Sequence, residues 1–191
     1  RRQRQMCIRD RSGTGYIATT QIYGGGSNGV HLFYDTDRKL ETTSAGVSVT
    51  GSLSVSAQPG FLAFISGSNP AMNIATVPFN STVFNNGGHY NTSNYRFTAP
   101  IAGNYYLSYN IRVNHGTSGH IIHPCFQING SNDAASLTIY KNDTSAQYMH
   151  TSFSYVRNLS ASDYVTVTMS NSSAGGNMQN GQCSFSGFLA F

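Results

Sequence analysis

The chain's densest grouping of side chains able to ligate a metal or move a proton is His115, His120, His123 and Cys125, with His150 and Cys183 elsewhere. Imidazole and thiolate are zinc and transition-metal donors, so the chemistry such a set would perform is metal binding. The spacing argues against a finished site. If residues 121–128 are extended, His123 and Cys125 share one face and His120 points to the other, so one chain supplies at most two ligands. A symmetry axis through that face would multiply them, which keeps a His123/Cys125 metal site as the less favoured alternative to none. Asp133 and Asp143 are loop acids that could touch calcium, although acids in such loops are more often turn residues.

Nucleophilic and hydrolytic chemistry finds no footing. Serine is too abundant for any Ser, His and Asp trio to carry weight, and no pair of carboxylates stands out. The run Gly24-Gly25-Gly26-Ser27-Asn28-Gly29 lacks the Lys and the following helix of a phosphate-binding loop. No catalytic residue, cofactor or metal is therefore assigned, and a non-enzymatic protein is expected. Six Asn-X-Ser/Thr triplets, at Asn80, Asn91, Asn129, Asn142, Asn158 and Asn171, follow from a composition rich in Asn, Ser and Thr. With Cys7 set aside, Cys125 and Cys183 fit two buried thiols better than a disulfide.

The elements that must position any site are strands. Only 9% of residues are charged while 12% are aromatic, and no run approaches the length of a membrane span. From Pro59 onward apolar or alternating segments recur at Phe61–Ile65, Thr76–Phe79, Tyr95–Thr98, Tyr105–Val113, Ile121–Ile128, Ser136–Tyr140, Tyr148–Arg157, Tyr164–Met169 and Cys183–Phe191. Turn formers such as Asn85-Asn86-Gly87-Gly88 and Asn129-Gly130-Ser131 separate them. In Tyr105–Val113 the odd-numbered residues form a core face, and Tyr106, Ser108, Asn110 and Arg112 the opposite one. In Cys183–Phe191 the residues Cys183, Phe185, Gly187, Leu189 and Phe191 oppose Ser184, Ser186, Phe188 and Ala190. Phe188 is the odd aromatic on a small-residue face, suited to an interface or to partial cover within the same sandwich. So apolar a chain end predicts a strand deep in a sheet.

A pI of 9.1 invites a nucleic-acid reading, but the charge is local. Arg1, Arg2, Arg4, Arg9 and Arg11 against Asp10 account for the whole +4, and residues 12–191 carry six basic and six acidic side chains. A basic body is excluded, and no nucleic-acid partner is expected. Residues 5–11, Gln-Met-Cys-Ile-Arg-Asp-Arg, resemble one reading frame of a transposase adapter used in sequencing libraries. Residues 1–12 are accordingly read as an artefact or disordered rather than a basic arm, with the natural N-terminal region missing. No apolar stretch follows the arginines as a secretory signal requires.

Residues 13–57 differ from the rest: short strand-like pieces such as His31–Tyr34, then Val47, Val49, Leu53 and Val55 at alternating positions, are broken by small polar turns. Such strands gain stability when copies of a chain wrap together and close each other's edges. The pattern Gly29–Asp35 with Lys39–Val55 resembles a repeated element of structural and tail-fibre-like proteins of marine bacteriophages, which implies a shaft or connector. An extended linker is the alternative.

Residues 58–191 resemble the globular head of the complement C1q family, which shares its jelly roll with tumour necrosis factor. The residues that carry the likeness are Phe61-Leu62-Ala63-Phe64, Pro78-Phe79, Tyr90, Tyr95-Arg96-Phe97-Thr98-Ala99-Pro100, Gly103-Asn104-Tyr105-Tyr106 and Phe185-Ser186-Gly187-Phe188-Leu189. The resemblance implies an all-β, ten-stranded jelly-roll sandwich that assembles as a homotrimer and binds through loops and outer faces. No Gly-X-Y stalk is present, which argues against an animal complement role.

Together these readings predict a trimeric phage tail-fibre or virion-appendage protein that recognises a host cell-surface glycan or protein without inserting in the membrane. Loop residues His89, Tyr90, Asn94, His115 and His120 are the expected ligand contacts, and Tyr106, Arg112 and Phe188 the expected trimer contacts. A secreted or extracellular lectin-like protein of a bacterium or animal, or a trimerisation cap without a ligand, are the alternatives.

Overall fold

The computed structural model describes residues 21–22, 30–34, 37–53, 55, 57–72, 74–114, 121–141, 148–171 and 176–191. The chain divides into two compact units, Arg1–Val55 and Ser56–Phe191.

In the first unit, β1 (Gln21–Ile22), β2 (Val30–Tyr34), β3 (Asp37–Thr43) and β4 (Gly46–Val49) form an antiparallel sheet in sequence order. The β3–β4 turn needs Gly46, whose φ is +134°. Charge pairs decorate the β2–β3 surface: Arg38 with Glu41, and Lys39 with Asp37 at 3.3 Å. Val47 and Val49 on β4 stay exposed.

The second unit holds β5 (Gly60–Phe64), β6 (Ser81–Asn86), β7 (Tyr90–Asn91), β8 (Arg96–Thr98), β9 (Gly103–Asn114), β10 (Ile121–Ile128), β11 (Ser131–Asn132), β12 (Tyr140–Lys141), β13 (Tyr148–Leu159), β14 (Tyr164–Asn171), β15 (Asn177–Met178) and β16 (Ser184–Leu189). They make two six-stranded antiparallel sheets. One runs β11-β10-β14-β8-β7 with β12 on β10, and the other β13-β9-β16-β5-β6 with β15 on β9. The sheets pack face to face over a shared core, the jelly-roll sandwich that the strand pattern predicts.

Aromatic rings fill that core. Phe61 stacks on Tyr90 at 4.9 Å and on Phe97 at 4.8 Å, and meets Phe185 edge-on at 4.8 Å. Tyr109 meets Phe126 edge-on at 4.9 Å. Its buried hydroxyl sits 3.0 Å from the Pro124 carbonyl, 2.9 Å from that of Ser136 and 2.9 Å from Thr138 Oγ1. Burial pushes this phenol up to about 12. Close packing extends to the glycines: a Cβ on Gly187 would lie 2.8 Å from Leu107 Cδ2 and 3.0 Å from Phe61 Cε1.

Strand alternation places the main elements as expected. Residues 105, 107, 109, 111 and 113 of β9 are all buried, and β16 lies between β9 and β5. Three expectations need correction. Thr76–Phe79 is not a strand, because Val77 donates to the Val167 carbonyl at 2.7 Å and Phe79 folds back onto that of Val77 at 3.0 Å. Ser136–Tyr140 is replaced by a 3-10 turn over Ala134–Ser136, capped by Asp133, and by the short β12. The alternation of the final strand stops at Leu189, and Phe191 is 79% exposed.

Cys125 and Cys183 are free, buried thiols, as the sequence suggests. Burial raises both, with a lesser contribution at Cys125 from Asp133. Cys183 takes a structural part. Its Sγ accepts from the Arg112 amide at 3.3 Å and donates to the Arg112 carbonyl at 3.2 Å, one position beyond the end of the β9–β16 ladder.

Candidate functional site

The expected loop ligands separate. Tyr90 is withdrawn from the candidate set: it is 3% exposed, its ring lies in the aromatic core, and its hydroxyl donates to the Phe79 carbonyl at 2.9 Å. Asn85 pins it there, donating to the Tyr90 carbonyl at 2.8 Å and accepting from its amide at 3.1 Å. Burial raises its phenol well above the usual range. His89 is half-buried, with its ring against Gly87, where any Cβ would fall 2.4 Å from Nε2. Asn94 is exposed. His115, His120 and Asp143 lie outside the described residues.

The metal candidates are placed but not assembled. His123 and Cys125 do share a face of β10, opposite Ser170 and Thr168 of β14. Among the described residues no three His, Cys, Asp or Glu side chains come together as a ligand set. Asp133 has a partner on each carboxylate oxygen. Oδ1 caps the 3-10 turn at Ala135 N, while Oδ2 accepts from the Tyr155 hydroxyl at 2.8 Å and pairs with Arg157 Nε at 3.3 Å. Burial, and then the bond to Asp133, raise the Tyr155 phenol.

The three expected interface residues share one surface, the outer face of the β13-β9-β16-β5-β6 sheet. Register fixes this: Val156 pairs with Tyr106, Tyr106 with Phe188, and Phe188 with Gly60. The Tyr106 and Phe188 rings stack at 5.1 Å. Gly60 has no side chain to separate its neighbours, so Phe188 Cβ and the Phe84 ring come within 3.5 and 3.7 Å of where its Cβ would sit. Leu62 faces Phe84 in the next row. Phe188 is 48% exposed, and Val156 and Phe84 are similarly open.

Farther along the same face the chemistry changes from apolar to polar. A groove lined by Asn110, Arg112, Tyr148, His150 and Gln182 opens there. The Arg112 guanidinium lies 4.4 Å over the Tyr148 ring. The strand pattern puts Asn110 beside Arg112 on one face but does not bring Tyr148, His150 and Gln182 to them. Only the register of β9 against β13 and the turn before β16 bring them together.

Two six-stranded sheets around an aromatic core define a jelly-roll sandwich. The family model for the C1q domain matches residues 60–190. The chain belongs to the C1q domain family, whose members are generally non-enzymatic, generally trimeric and ligand-binding, and often extracellular. Among solved structures, the globular domain of zebrafish complement 1qA protein superposes with a TM-score of 0.55 at 18% identity, covering 70% of this chain and 98% of that one. No curated protein sequence gives a match. Among the described residues no helix is long and apolar enough to cross a membrane.

Proposed function

We propose that this chain is a non-enzymatic homotrimeric binding protein, the distal part of a phage tail fibre or other virion appendage, whose head recognises glycans on the host surface. The observation that carries the assembly is the uncovered apolar surface of Val156, Tyr106, Phe188, Leu62 and Phe84. Phe188 at 48% exposure and Phe84 at 45% are aromatic rings left half open on this face. A second copy of the chain is the occupant, in line with the trimers typical of C1q domains. The β1–β4 unit, with Val47 and Val49 open, serves as shaft or connector, and trimeric presentation multiplies weak contacts into avidity.

Recognition falls to polar residues: exposed Asn94, half-buried His89, the sequence candidates His115 and His120, and the polar end of the outer face. Light scattering of the purified chain tests the assembly, and a stable monomer refutes it. Host-cell binding and a glycan array test recognition. Binding left intact by substitutions throughout these polar positions counts against it.

A further inference from the structure

The groove at the polar end of the outer face has a volume of about 540 Å³, and among the described residues no acidic side chain lines it. That volume falls within the roughly 300–1,000 Å³ of small-ligand sites. Among the described residues three cations meet carboxylates: Arg38 meets Glu41, Lys39 meets Asp37 and Arg157 meets Asp133, whereas Arg96 lies over the Tyr164 ring. Arg112 meets a neutral amide. Its Nη1 donates to Gln182 Oε1, and since guanidinium has no acceptor, the Gln182 amide nitrogen is left as a donor. Asn110 Oδ1 is likewise engaged, by His150 Nε2, which leaves the Asn110 amide nitrogen. Each side-chain amide oxygen of the groove thus has an internal partner, and a full positive charge stands beside two amide N–H donors. That is the complement of an oxyanion.

The groove also has an apolar component. Tyr148 remains 42% exposed although Arg112 lies over its ring, so it offers area for the apolar side of a pyranose. Six residues of extended strand, about 20 Å, separate Arg112 from Tyr106. One face therefore has room for a subunit contact at one end and a ligand at the other. We infer that this groove holds the carboxylate of an acidic sugar, with the Arg112 fork as its anchor and Tyr148 as its platform. Resting on the glycan reading above, this inference names the class of sugar and moves Arg112 from subunit contact to ligand.

The test is isothermal titration of the full chain with glucuronate, glucose and inorganic phosphate. Glucuronate binds and glucose, the same ring with a hydroxymethyl group in place of the carboxylate, does not. Arg112→Gln weakens glucuronate roughly 10- to 100-fold, the loss of one charge-assisted bidentate contact, and Arg112→Lys also weakens it because the fork is gone. An unchanged Kd in Arg112→Gln overturns the site. Phosphate binding as tightly as glucuronate overturns the sugar assignment, and loss of the trimer in Arg112→Gln returns Arg112 to the interface and overturns the inference. A glycan array separates this from the wider reading. Neutral glycans bound equally by the unsubstituted and Arg112→Gln chains refute the groove and leave glycan recognition standing. Glucuronate bound in titration with every array glycan silent supports the groove and refutes recognition of those glycans.

Discussion

Phe188→Ser should dismantle the proposed trimer while leaving the head folded. A phenylalanine side chain presents about 200 Å² to water when open. With 48% of Phe188 exposed, a neighbouring subunit closing over it removes roughly 100 Å² from solvent, or about 2.4 kcal/mol at about 25 cal/mol per Å². Three symmetry-equivalent contacts raise this to roughly 7 kcal/mol, a factor of about 10⁵ in the association constant. That constant scales as the square of the free-chain concentration, so the assembly midpoint rises by the square root, about 300-fold. Within the head the ring stacks on Tyr106 at 5.1 Å, a contact worth only about 0.5–1.5 kcal/mol. Serine also matches Ser184 and Ser186 on the same face. Light scattering over a dilution series, with circular dichroism as the check on folding, reads both effects. A midpoint within about threefold of the unsubstituted chain's, far below the shift expected from the buried area, refutes the assignment of this face.

Gly187→Ala should destabilise the head by about 1–3 kcal/mol, because its Cβ would meet Leu107 and Phe61 at 3.0 Å or less; a thermal melt unchanged from that of the parent contradicts the packing described. Tyr109→Phe should lose about 1–3 kcal/mol by taking the hydroxyl donor from the buried Ser136 carbonyl, while the Pro124 carbonyl keeps the Thr138 amide at 3.1 Å; chemical denaturation measures the loss. Asp163 accepts from Asn129 Nδ2 and the Ser160 amide, each at 2.7 Å, and these bonds hold its carboxyl below the usual range. A carboxyl depressed in the folded state contributes stability that is present above its unfolded pKa near 3.8 and is lost as pH falls through the lower folded value. Melting temperature should therefore drop less steeply in Asp163→Asn than in the parent as pH falls from the unfolded pKa downward, and parallel curves would remove Asp163 from the acid response.

Period-two patterning made β9 and β10 legible, because a strand with one face on a core must alternate whatever its partners are. Ile121–Ile128 is a strand over the residues expected. Misreadings arose where the hydrogen bonds of a segment are decided from a distance. Val77 and Phe79 look like alternate residues of a strand, yet both are buried without a ladder of their own. Tyr90 stands among Asn and Gly and reads as a loop residue, until the Asn85 side chain folds it inward. The Arg112 groove was legible only in its β9 wall, Asn110 and Arg112. Its other walls come from β13 and from the turn at Gln182, far apart along the chain and aligned only by register.

The place of β16 has a consequence for how the molecule is made. Residues 184–189 form the inner strand between β9 and β5, so a nascent chain that has already produced β5 and β9 cannot join those two halves of the sheet until residue 189 has left the ribosome. Until then both strands show unpaired backbone edges, and the aromatic core lacks Phe185. Contacts spanning more than a hundred residues make closure slow and late, the stage at which copies are most prone to pair wrongly. Truncations just short of β16 should therefore accumulate as aggregates or chaperone-bound chains, and folding of the head should await synthesis through residue 189.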